Sequence, residues 1–92
     1  MIYCLGDPGL YEKILKDSPV VWKAGRERGG EDPYPGGEVW QFREDAELCL
    51  LEYPKLKVYG VMASWFTDTA ESESELPGAR DLLFDSLVVR LD

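Results

Sequence analysis

At 92 residues with a formal net charge of −8 at pH 7, this chain has the length of one domain and the wrong sign for tracking nucleic-acid phosphates. Hydrophobic residues make up 45% of it, enough apolar surface to fold rather than stay disordered. Histidine is absent, which removes the commonest general base at neutral pH, the commonest metal ligand and any Ser-His or Cys-His nucleophile.

Met1 to Leu5 has the composition of a short buried strand. Gly6-Asp7-Pro8-Gly9 then turns the chain, with Asp7 placed to cap a helix and Pro8 in its first turn. Tyr11, Ile14 and Leu15 follow at helical spacing, while Glu12, Lys13 and Lys16 take the rest of the surface. The helix should end near Asp17. Val20 to Ala24 reads as a second strand, with two β-branched residues and Trp22.

Gly25 to Gly37 holds five glycines and two prolines in thirteen residues, so no regular helix or strand is expected there. Glu38 to Phe42 reads as a third strand, with Trp40 and Phe42 on one face. If it pairs with the second strand, the glycine-rich segment is the tip of a wide hairpin. Arg43 to Tyr53 carries Ala46, Cys49, Leu50 and Tyr53 as one apolar stripe of a helix that Pro54 stops. Glu44, Asp45 and Glu47 suit the positive end of its dipole.

Lys57 to Trp65 is apolar on both faces and should be a central strand, with Gly60 marking a bulge or a close approach. Thr67 to Pro77 is acidic and aperiodic, as an exposed loop would be. Gly78 to Phe84 reads as a turn of helix containing Leu82, Leu83 and Phe84, and Ser86 to Leu91 as a last strand. The order predicts a single α+β domain over residues 1–92: a mostly antiparallel sheet of four to five strands with two helices on one face.

Cys4 and Cys49 sit in apolar contexts 45 positions apart and read as free, buried thiols. No metal-ligand spacing or cofactor fingerprint is present, so neither a metal nor a cofactor is expected. Gly25-x-x-x-Gly29-Gly30 lacks both the dinucleotide spacing and the Gly-Lys ending of a P-loop. No leader-like start and no apolar run of membrane length occur, so a soluble, cytoplasmic chain is expected.

These features point to a small acidic interaction module of the inhibitor, immunity or adaptor type, whose partner is another protein rather than nucleic acid or a membrane. A homodimer is compatible with them too. The contact residues would be Arg26, Arg28 and Tyr34 of the glycine- and proline-rich segment, where Pro33 and Pro35 present the ring at low entropic cost. Asp68, Glu71, Glu73 and Glu75 would add an electrostatic patch. The alternative is a small-molecule or anion-binding domain, enzymatic in its extreme form. Its recess would be lined by Trp22, Trp40 and Trp65, with Lys23, Arg26 and Arg28 holding an anion beside the Gly29 and Gly30 amides.

Overall fold

The computed structural model describes residues 1–17, 21–23, 38–62, 66–67, 78–83 and 86–91; for 21–23, 66–67 and 81 it describes the backbone alone. In chain order the elements are β1 (Ile2–Gly6), α1 (Pro8–Asp17), β2 (Val21–Lys23), β3 (Glu38–Trp40), α2 (Arg43–Cys49), β4 (Lys57–Met62), β5 (Phe66–Thr67), β6 (Ala79–Leu82) and β7 (Ser86–Val89). The strands form one sheet in the order β2-β7-β4-β1-β3-β6-β5, and each neighbouring pair is antiparallel.

The α+β class, the antiparallel sheet and the two helices are as expected. All five expected strands are present, and β5 and β6 extend one edge to make seven among the described residues. Ala79–Leu82 is therefore strand and not a turn of helix: it pairs with β3 through Glu38↔Asp81, Val39↔Arg80 and Trp40↔Ala79. A short apolar run cannot distinguish helix from strand by periodicity, and here the neighbouring edge decides.

The helices lie on opposite faces of the sheet, which corrects the one-face expectation. Strand residues alternate sides. Ile2 and Cys4 of β1, Tyr59 and Val61 of β4, Val39, Leu82 and Val88 form one buried cluster with Tyr11 and Leu15 of α1. Leu5, Val58, Trp40 and Ala79 form the other with Ala46 and Cys49 of α2. The physical reason is in β1 and β4: both are apolar on consecutive residues, so covering a single face would leave half of their side chains in water.

α1 starts as its sequence dictates. The Gly9 amide donates to Asp7 Oδ1 at 2.9 Å, and the Tyr11 amide to the Asp7 carbonyl at 2.8 Å. Gly6 has no room for a side chain: an added Cβ would lie 2.4 Å from the Tyr11 ring. Gly60 is a close approach rather than a bulge. The β1–β4 register runs unbroken from Ile2↔Val61 to Gly6↔Lys57, and a Cβ at Gly60 would meet Met1 Sδ at 2.6 Å.

α2 is shorter than expected. After Cys49 the chain winds on through i+3 bonds, with Leu50, Leu51 and Glu52 amides donating to the Glu47, Leu48 and Cys49 carbonyls at 3.1, 3.2 and 3.1 Å. Tighter winding turns later residues off the helical stripe. Tyr53 is exposed instead of packed, whereas Leu50 is half-buried and packs against the cluster of Ala46 and Cys49 as expected. β3 also ends early: Phe42 is the N-cap residue of α2 and faces solvent, not the face shared with Trp40. Among the described residues, no helix is long and apolar enough to cross a membrane.

Candidate functional site

The segment from Ala24 to Gly37 joins strands that are not neighbours. β7, β4 and β1 lie between β2 and β3, a separation of about 19 Å at the usual strand spacing. The wide hairpin is thus not formed. Arg26, Arg28 and Tyr34, with Trp65, Asp68, Glu71, Glu73 and Glu75, lie outside the described residues. Trp22 and Lys23 belong to edge strand β2, where the backbone pairs as Trp22↔Leu87 and Lys23↔Ser86. Trp40 is 1% exposed and packs under α2 with Leu5, Ala46 and Cys49. It is a core residue and does not line a recess.

The thiols of Cys4 and Cys49 are both buried and not joined in a disulfide, as expected. They belong to clusters on opposite faces, so the sheet lies between them. Burial pushes the Cys49 thiol above its ordinary pKa, and the Glu52 and Asp45 carboxylates push the same way. A thiol of this kind is a packing residue rather than a nucleophile. Among the described residues, no group of three or more His, Cys, Asp or Glu is placed to hold a metal ion.

Two further arrangements come from the fold rather than from local sequence pattern. The first centres on Glu12. Tyr59 donates its hydroxyl to Glu12 Oε1 at 3.2 Å, Lys57 Nζ reaches the same oxygen at 3.3 Å, and Arg90 pairs with Oε2. The Lys57 ammonium also lies 5.7 Å from the centre of the Tyr59 ring, which in turn packs on Tyr11 with centroids 4.9 Å apart. Partial burial opposes ionisation of Glu12. The Lys57 hydrogen bond, the Arg90 and Lys57 charges and the Tyr59 hydroxyl outweigh it and hold the carboxyl below its usual range. Burial first, then the Glu12 charge and hydrogen bond, push Tyr59 well above the ordinary phenol range. An ionised carboxylate with three donors has no proton to give, so this cluster fixes α1 to β4 and to the end of β7. Its partners lie 45 to 78 positions from Glu12 in the chain, and no local pattern announces them.

The second lies along α2 and the turns after it. The inner stripe, Ala46 and Cys49, is fully used against the sheet. The outer flank is also apolar: Leu48 is 56% and Leu51 82% exposed, one helical step apart. Tyr53, 42% exposed, follows them and borders an open, mostly apolar hollow of about 270 Å³ formed by Glu52, Tyr53, Pro54, Lys55 and Leu56. Glu44, Asp45, Glu47 and Glu52 stand along the same stretch against Arg43 and Lys55, and Arg43 pairs with Glu47 at 2.9 Å. The stretch is therefore apolar with an acidic border. Apolar residues at 46 and 48–51 are visible in the sequence, but the stripe of Ala46, Cys49, Leu50 and Tyr53 leaves Leu48 and Leu51 unassigned. Compared with protein-family models, curated proteins and solved structures, the chain matches none.

Proposed function

We propose that this chain is a small acidic interaction module that binds another protein, in the manner of an inhibitor, an immunity protein or an adaptor. One observation carries the reading: Leu48, Leu51 and Tyr53 are exposed in succession beside an apolar hollow. Single exposed apolar side chains are ordinary on a protein surface, but a run of them rimmed by charge is the usual composition of a contact surface. Phe42 adds to it, since an exposed phenylalanine sits where a capping serine or aspartate would stabilise α2. The sequence supplies further contact candidates in Tyr34 with Arg26 and Arg28, and in the carboxylates Asp68, Glu71, Glu73 and Glu75.

The small-molecule alternative has less behind it. Trp40 belongs to the core, and three strands separate its strand β3 from β2 with Trp22.

Affinity capture from an extract of the native host tests the proposal, with the immobilised chain compared against its Leu51→Glu variant. A protein enriched on the wild-type chain and lost on the variant is the expected result. Equal capture by both would detach the function from this flank, and no enrichment over blank resin would overturn the interaction reading itself.

A further inference from the structure

We propose that the α2 flank docks a basic segment of the partner, one that seats an apolar side chain in the hollow at Glu52–Leu56 and sets lysines or arginines against Glu44, Glu47 and Glu52. This rests on the interaction reading above and names the chemistry of its partner.

The hollow argues for a protein side chain. It is made by five consecutive residues on an outer turn, open to solvent and about 270 Å³ in volume. Sites for small molecules usually bury most of the ligand's surface. An open, mostly apolar bowl on an outer turn receives a side chain from a partner surface rather than enclosing a ligand. Leu48 and Leu51 then continue the apolar strip beside it, one helical step apart, as an anchored segment requires.

The border argues for the charge of the partner. Glu44, Asp45, Glu47 and Glu52 outnumber Arg43, which pairs with Glu47, and Lys55, which lines the hollow, and the whole chain carries −8. A second copy of this chain would bring the same acidic border against itself in a two-fold contact, with like charges opposed. An acidic partner meets the same repulsion. A segment bearing lysine or arginine is complementary both at the border and in the long-range field.

The test uses two fluorescent synthetic peptides, an amphipathic sequence of leucine and lysine and its counterpart with glutamate for lysine. Binding is followed by anisotropy for the wild-type chain, Leu51→Glu and Leu10→Glu. Leu10 is exposed on α1, so the last variant adds the same charge far along the chain from the flank. The lysine peptide should bind the wild type and the glutamate peptide should not. Leu51→Glu should weaken binding by about tenfold or more, as loss of an anchor contact does, while Leu10→Glu stays within about twofold. The contrast is diagnostic because Leu51→Glu makes the chain more acidic and would strengthen a purely electrostatic attraction. Melting of both variants, followed by circular dichroism, confirms that each is folded.

Three results would overturn the proposal. Unchanged or tighter binding by Leu51→Glu would reduce it to charge attraction. Binding of neither peptide, alongside a captured partner that depends on Leu51, would keep the interaction module and reject the basic segment. A wild-type dimer by light scattering that Leu51→Glu dissociates would assign the flank to a second copy.

Discussion

Glu12 shows how one side chain secures an element. It leaves α1 and is met by a lysine and a tyrosine from β4 and an arginine just past β7. Against partial burial, Lys57, Arg90 and Tyr59 hold its carboxyl below the ordinary carboxylate range in the folded chain. A depressed folded pKa adds stability above the unfolded value, and that contribution is lost as pH falls through the folded one. Wild type should therefore be more stable than Glu12→Gln at neutral pH, and the difference should shrink steadily as pH drops below the ordinary carboxylate range. Urea melts of both proteins across that range check it, and a difference that does not vary with pH would show that the carboxylate charge is irrelevant. The sequence could not supply this. Asp7 as a cap, beside its helix, was legible because its partner is two residues away. Glu12 looked like ordinary surface because its partners arrive from distant strands.

At the scale of elements, α2 has two apolar sides with opposite fates. Trp40 beneath it is closed off with Leu5 and Ala46, whereas Leu51 above it stands in water. Trp40→Ala should cost about 3–5 kcal/mol, as large core truncations do. Leu51→Ala should change stability by no more than about 0.5 kcal/mol. Chemical denaturation of both variants measures the contrast. A large loss on truncating Leu51 would mean that it is packed and would remove the flank as a contact surface. Strands were legible where β-branched and aromatic residues ran together, as in β1, β4 and β7. The run Ala79–Leu82 was not, because its strand character comes from the free edge of β3. Tyr53 was misplaced because the winding tightens after Cys49, a change set by hydrogen bonding that residue spacing does not record.

The whole molecule follows from a sheet that is apolar on both sides. β1 at its centre offers Ile2 and Cys4 to α1 and Leu5 to the side of α2, so each helix closes one face. That double demand could be read from β4, whose two apolar faces implied cover on both sides. With Ala46 and Cys49 of α2 spent on the sheet, Leu48 and Leu51 have no inner surface left to meet. On a chain of charge −8, they form an apolar strip with an acidic border, suited to a basic partner. The most direct measurement is a two-dimensional amide NMR titration of the chain with the leucine–lysine peptide. Shifts should concentrate at Glu47 to Leu56 and leave α1 unmoved. Shifts confined to Asp68–Glu75, or spread evenly over the acidic surface, would contradict the assignment of binding to the α2 flank.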